Sequence, residues 1–312
     1  AKSGELITLS ADGKEFTVAT RLGAGVSFVS VDEYSGKLFR RGSFYSATEM
    51  AYNCEFLPIA VYDIALNNSL IKAWPCIEKI GILKGGKFFP STGQYLLISK
   101  AGRAFLGSGN PNEPWRESNI NEEIIATAIL ADGIVASTRS GKLYYVNESG
   151  NFSEILMSQK SGAQCFAIAP AGKQNFYAGF ADGTIELYTQ KTDNWSNDRV
   201  QIARGSMVSK MYYNQTNNSL DALFSDNSIA IIKAQQKALN LELNQKIETL
   251  GISDKNDLLI NLADGTTKSV PLNLESINKM FCENLEDFTA EQWTEIFGNE
   301  YPFTPTICND EN

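Results

Sequence analysis

Two kinds of turn signal recur along this chain at a near-constant period, and that periodicity limits the fold more than any single motif. One series reads Ser10-Ala11-Asp12-Gly13, Phe56-Leu57-Pro58, Ser91-Thr92-Gly93, Ala131-Asp132-Gly133, Pro170-Ala171-Gly172, Asn217-Asn218-Ser219 and Ser253-Asp254-Lys255. The other reads Gly23-Ala24-Gly25, Asn67-Asn68, Ala101-Gly102, Ser140-Gly141, Asp182-Gly183, Asp226-Asn227 and Asp264-Gly265. Neighbouring members of each series lie roughly 34–47 residues apart, close to the length of one four-stranded repeat unit.

Gly, Asn and Asp tolerate the positive φ that tight hairpins demand. The runs between the turns are strand-like. Ile134-Val135-Ala136-Ser137-Thr138 leads to Lys142-Leu143-Tyr144-Tyr145-Val146, and Phe176-Tyr177-Ala178-Gly179-Phe180 leads to Thr184-Ile185-Glu186-Leu187-Tyr188. Short apolar, β-branched and aromatic runs bounded by turn residues read as strands. The first series is expected to join strands one and two of each unit, the second strands two and three. Seven such units predict an all-β chain: a seven-bladed β-propeller over residues 1–272, followed by a short α-helical C-terminal extension over residues 273–312.

The repeat region resembles WD-repeat propellers. Ser10-Ala11-Asp12-Gly13-Lys14 is similar to their first turn, and Asp182-Gly183-Thr184-Ile185-Glu186-Leu187-Tyr188 to their second turn and third strand. The resemblance covers Glu5 to Leu272 and is degenerate. No Trp-Asp dipeptide ends a strand, and the chain has no histidine. The family's Gly-His pair and the hydrogen-bond tetrad built on it are therefore absent, and register must rest on packing and turns. The last unit shows three strands. The closing strand is expected from the tail, from upstream sequence, or from a first blade in another register.

The tail carries the most specific local signals. Thr289 and Gln292 have capping-box spacing, and Phe288 with Trp293 has the spacing of a hydrophobic staple. Trp293, Ile296 and Phe297 form one apolar stripe, Gly298 is placed to stop the helix, and Leu274, Ile277 and Phe281 predict another short helix before it. Cys282-Glu283-Asn284-Leu285, Phe288-Thr289-Ala290-Glu291-Gln292-Trp293, Phe297-Gly298, Tyr301 and Thr306-Ile307-Cys308 together resemble the segment that ends many large bacterial WD-repeat proteins. Asp287, Phe288, Gln292 and Ile296 depart from that pattern. The resemblance implies a C-terminal sensor or scaffold beside an upstream protease-like, receptor-like or nucleotide-switch module. The plainer reading is structural: Thr289, Gln292, Trp293 and Phe297 build a helix that caps an apolar face.

Several chemistries are excluded by composition. Without histidine there is no Ser-His-Asp or Cys-His constellation, and the commonest metal ligand and general base is missing. Cys54, Cys76, Cys165, Cys282 and Cys308 are odd in number and dispersed, which reads as reduced thiols. Cys165 is expected in a strand core. With no CxxC pair, no structural zinc is expected. Gly81-Ile82-Leu83-Lys84-Gly85-Gly86-Lys87-Phe88 has phosphate-loop spacing, but Phe88 stands where a hydroxyl belongs and the context is strand and turn. No catalytic, cofactor or metal residue is assigned.

Charge is uneven. Of the net −9, −8 lies in residues 273–312, where Glu275, Glu283, Glu286, Asp287, Glu291, Glu295, Glu300, Asp310 and Glu311 face Lys279 alone. No basic surface for nucleic acid is evident, and no apolar run reaches membrane-spanning length. A cytoplasmic location and a start inside a longer protein are expected. Arg21, Lys100 and Arg139 fall at the ends of second strands. They mark either a basic partner-binding rim or three solvated charges. Trp74, Trp115 and Trp195 lie at strand edges, either open to a partner or packed between blades. The expected function is a noncatalytic protein-interaction, sensor or scaffold module. Its partner is a protein or an upstream domain of its own chain. The alternatives are an enzyme with a carboxylate-lined central pocket and a purely structural domain.

Overall fold

The structure, a computed structural model, describes residues 5–9, 16–21, 28–32, 34–41, 59–63, 69–74, 81–108, 110, 113–155, 163–191, 194–200, 205–215, 218–233, 236–242, 245–252 and 257–271. The chain divides into two compact units, Ala1–Gln245 and Lys246–Asn312. Among the described residues every regular element is a strand, and the strands form seven separate antiparallel sheets. The tail residues Thr289, Gln292, Trp293 and Phe297, and both expected helices, lie outside the described residues.

In the first unit, β1 (Glu5–Leu9) pairs with β2 (Phe16–Arg21). Five four-stranded sheets follow, each in simple sequential order. They are β3 (Phe28–Asp32), β4 (Lys37–Arg41), β5 (Ile59–Asp63) and β6 (Ser69–Trp74); β7 (Leu83–Phe89), β8 (Gln94–Ser99), β9 (Arg103–Gly107) and β10 (Arg116–Asn119); β11 (Ile124–Ile129), β12 (Gly133–Thr138), β13 (Leu143–Asn147) and β14 (Phe152–Ile155); β15 (Cys165–Pro170), β16 (Asn175–Phe180), β17 (Ile185–Gln190) and β18 (Trp195–Val200); and β19 (Val208–Asn214), β20 (Ser219–Phe224), β21 (Ser228–Lys233) and β22 (Gln236–Glu242). The second unit holds β23 (Ile247–Ile252), β24 (Asp257–Leu262) and β25 (Thr267–Pro271) in one three-stranded sheet.

Turn chemistry explains the hairpins. Gly93, Gly172 and Asn218 between first and second strands, and Gly102, Gly141, Gly183, Asn227 and Gly265 between second and third, all have positive φ, as their residue types require. Asp182, Asp226 and Asp264 each accept the amide two residues on at 2.9 Å, closing the second turn of their sheets.

Two sheets depart from the expected organisation: β1 and β2 make a two-stranded sheet, and Gly23-Ala24-Gly25 falls between β2 and β3, the first strand of the next sheet, and not between strands two and three of one unit. Phe56-Leu57-Pro58 does not join a first and second strand; it precedes β5, the third strand of its sheet. Asn67-Asn68 accordingly joins the third and fourth strands. The first turn of that sheet is at residues 33–36, closed by Gly36 at φ +64°. A short four-residue turn without Asn-Gly or Asp-Gly escaped the pattern, and the long link from β4 to β5 carried turn-like residues of its own.

A second repeat underlies the first. In five sheets the first strand carries one extra residue near its start: Lys84, Ile125, Phe166, Ser209 and Glu248. Such β-bulges bend a strand and increase its twist. The residue after each second strand then donates its amide back to the residue before or at the start of the first. These bonds are Lys100 to Ile82 at 2.6 Å, Arg139 to Glu123 at 2.8 Å, Ala181 to Gln164 at 2.9 Å, Ser225 to Met207 at 2.8 Å and Ala263 to Lys246 at 2.9 Å.

In the first unit, the first strands lie side by side: β3 by β7, β7 by β11, β11 by β15 and β15 by β19. Apolar clusters fill the spaces between consecutive sheets. β8, β12 and β16 are therefore packed on both faces, and β12 and β20 are buried at every position. Close approach has a residue requirement. A Cβ on Gly86 would meet the Phe39 ring at 2.5 Å, and one on Gly179 would meet Val208 Cγ1 at 2.5 Å. Cys165 is fully buried and free, and burial pushes its thiol up to about 12.

Candidate functional site: two ends of the inner strands

The first strands have two ends of different character. At their starts lie the second-to-third turns, where the expected basic rim falls. Arg21 is the last residue of β2, and its side chain lies outside the described residues. Lys100 follows β8 and Arg139 follows β12, and the structure brings these two together. Both bind Glu123, which precedes β11: Arg139 Nε at 2.5 Å from Oε2 and Lys100 Nζ at 3.1 Å from Oε1. The guanidinium hydrogen bond first, and the Lys100 contact second, hold the Glu123 carboxyl down to about 2. Beside it, Glu122 accepts from Ser140 and Tyr144 and pairs with Lys142, 3.5 Å away. Lys142 also reaches Glu154 at 3.6 Å. Gln164 donates to the Arg139 carbonyl. The two cations thus share one carboxylate in a mixed-charge network that ties the β7–β10 sheet to the β11–β14 sheet.

The other end gathers the first-to-second turns. There a cavity of about 220 Å³ is lined by Ser30, Val31, Tyr34, Thr127, Ala128, Ile129, Ile168 and Pro170. These residues come from β3, β11, β15 and the turn after β3. Tyr34 Oη donates to the Gly172 carbonyl at 2.8 Å, joining turns 138 residues apart, and the Ala131 amide donates to the Lys173 carbonyl. Val31 is 41% exposed and Tyr34 is 37% exposed, so apolar surface stands open at the mouth of the cavity. Among the described residues, no Asp or Glu lines it.

Behind Tyr34 is a buried ion pair. Lys87 Nζ lies 3.5 Å from Asp32 Oδ1, with both side chains at most 1% exposed. Asp32 also accepts from Ser35 Oγ at 2.6 Å and from the Phe88 amide at 3.0 Å. The ammonium sits over the rings of Tyr34 and Phe89, at 5.4 and 5.5 Å. Burial holds Lys87 below the ordinary lysine value, opposed by the charge of Asp32. Lys87 is thus the core anchor of β7, and the phosphate-loop spacing around it belongs to a strand.

Trp115 and Trp195 are half-buried. Trp115 packs against the Phe39, Tyr95 and Phe105 cluster, and Trp195 stands edge-on to Phe176 and Tyr145. Of the two roles open to these residues, these contacts favour packing over exposure to a partner. Trp74 ends β6, and its side chain lies outside the described residues. Among the described residues, no group of three or more Cys, Asp or Glu side chains is arranged to hold a metal, and no helix is long and apolar enough to cross a membrane.

The sequence singled out Lys100 and Arg139 but not the cavity. Val31, Ile129 and Ile168 read as ordinary strand residues, and only the three-dimensional return of β15 towards β3 brings them together.

Comparison with known proteins places the fold. No family model matches the chain, and no curated protein matches it. Solved structures do. The computationally designed Ika8 protein matches with TM-score 0.56 and 12% identity, over 80% of this chain and 72% of that one. Raptor from Chaetomium thermophilum matches with TM-score 0.54 and 11% identity, over 79% of this chain and 24% of that one. A chain of the mitotic checkpoint complex matches with TM-score 0.59 and 12% identity, over 86% of this chain and 84% of that one. The latter two are propeller-containing proteins. At these identities the likeness defines a class: an all-β, propeller-like fold. Fold alone does not choose a ligand.

Proposed function

We propose that the chain is a noncatalytic protein-interaction module that seats an apolar side chain of a partner segment in the Val31–Tyr34 cavity. The carrying observation is the cavity's position and lining. It is small, its mouth is flanked by exposed Val31 and Tyr34, and three separate segments hold its shape. A rigid aromatic and branched-aliphatic seat of this kind suits an interface hot spot. The volume is below that of most small-molecule sites and suits one side chain. One structural neighbour is a chain of a protein complex, in keeping with an interaction role in general terms.

In this reading, the seven sheets are the blades of a degenerate WD-repeat propeller serving a larger protein. The acidic residues 273–312 form its helical extension. The mixed-charge end around Glu123 is the weaker docking candidate, because Lys100 and Arg139 already share a carboxylate. An enzyme built on carboxylates would need acids at the cavity, whereas the polar groups of its described lining are the hydroxyls of Ser30, Tyr34 and Thr127.

The test is affinity capture with the full-length parent and this chain in parallel, read by mass spectrometry. The expected result is a protein captured by the wild type and by Lys100→Ala, and lost with Val31→Glu. Capture that survives Val31→Glu but fails with Lys100→Ala moves the docking surface to the opposite end. A small molecule or metal retained through purification, with no protein partner, overturns the reading in favour of a small-ligand or catalytic role.

A further inference from the structure

A carboxyl group stands where the repeat places a core side chain. Counted from the bulge in each first strand, the third register pair is Lys87 with Leu96, Ala128 with Val135, Ala169 with Tyr177 and Tyr212 with Asp221. Leu96, Val135 and Tyr177 are all buried in apolar clusters. Asp221 takes the same position in β20 and is 0% exposed, and among the described residues neither of its carboxyl oxygens has a hydrogen-bond partner.

Its neighbours on the two flanking strands follow from the register. Directly opposite are Tyr212 on β19 and Ile231 on β21. Two positions away on the same face are Lys210 and Asn214 on β19, and Ile229 and Lys233 on β21. Lys210, Tyr212 and Lys233 are the titratable groups that face it from these strands, and all three are exposed. An ionised carboxylate needs water, a donor or a cation when it is buried, and otherwise takes up a proton. Burial accordingly pushes the Asp221 carboxyl up from 3.8 to about 7.

We propose that Asp221 is a proton-operated latch of the β19–β22 sheet, packed as the neutral acid and loosened at β20 and β21 when its proton is lost to solvent. The sign follows from linkage. In the unfolded chain Asp221 ionises near 3.8, and in the folded chain near 7. Its contribution to stability is therefore full below about pH 4 and declines as pH rises towards 7. Above that it changes no further. The latch opens at the alkaline side of neutrality and closes on mild acidification.

The experiment compares the wild-type chain with Asp221→Asn and Asp221→Leu by thermal unfolding from pH 5 to pH 8. Amide hydrogen exchange of β20, with β12 as internal reference, is followed over the same range. The expected result is an unfolding midpoint for Asp221→Asn that exceeds the wild type at pH 8, by a margin that shrinks steadily towards pH 5. Wild-type β20 exchange, corrected for the intrinsic rate, should rise relative to β12 across the same range and stay flat in the variant. Parallel pH profiles for wild type and Asp221→Asn overturn the proposal. Asp221→Leu restores the residue found at Leu96 and gives the same comparison if the amide is not tolerated. If neither variant folds, the carboxyl has a required partner and the proposal is wrong.

Discussion

At the residue scale, the strongest local commitment is Asp32 with Lys87. A buried pair is costly to create and costly to break, because removing one partner leaves the other uncompensated. Asp32→Ala strands the Lys87 ammonium and also removes the acceptor of the Phe88 amide and of Ser35. It should destabilise the chain by about 3–5 kcal/mol, read by denaturant unfolding. A change below about 1 kcal/mol would show that Lys87 reaches water or loses its proton instead. Neither residue was legible as a pair. Lys87 drew notice only through the spacing of Gly81 and Gly86 around it, and 55 positions separate it from Asp32. Asp221 is hidden differently: an acid within a short strand carries no sign of burial in the sequence, yet β20 is buried at every position.

At the scale of elements, turns were legible and bulges were not. A turn demands a residue type, so Gly93, Gly102, Gly141, Gly172, Gly183 and Gly265 announced themselves. A bulge demands only an extra residue, and Lys84, Ile125, Phe166, Ser209 and Glu248 have no chemistry in common. Sheet-to-sheet contacts leave a different trace. Gly179→Ala would drive a methyl into Val208 on β19, and overpacking of this kind costs about 1–3 kcal/mol. A neutral result in thermal unfolding would mean that β16 and β19 part easily. The Glu123 network behaves otherwise, because Arg139 is 67% exposed and solvent screens it. Glu123→Gln should shift the unfolding midpoint slightly, and the shift should vanish in high salt. Since the Glu123 carboxyl is held well below its ordinary 4.5, its contribution is present above that value and is lost as pH falls towards 2. A loss of Glu123-dependent stability between pH 5 and 7 would contradict the assignment.

At the scale of the whole molecule, the periodic turns disclosed the repeated antiparallel sheets of the described residues, and likeness to solved structures at 11–12% identity gives a propeller-like fold. Function was less legible, since the cavity arises only where strands distant in sequence meet. The central claim is that the cavity end of the first unit receives a partner protein. The most direct measurement is site-specific photo-crosslinking in the full-length parent, with the photoreactive residue at Val31 in one sample and at Lys100 in another. The account predicts a discrete protein adduct from position 31, suppressed by Tyr34→Ala, and none from position 100. An adduct from position 100 alone, or an adduct from position 31 that Tyr34→Ala leaves unchanged, would contradict it.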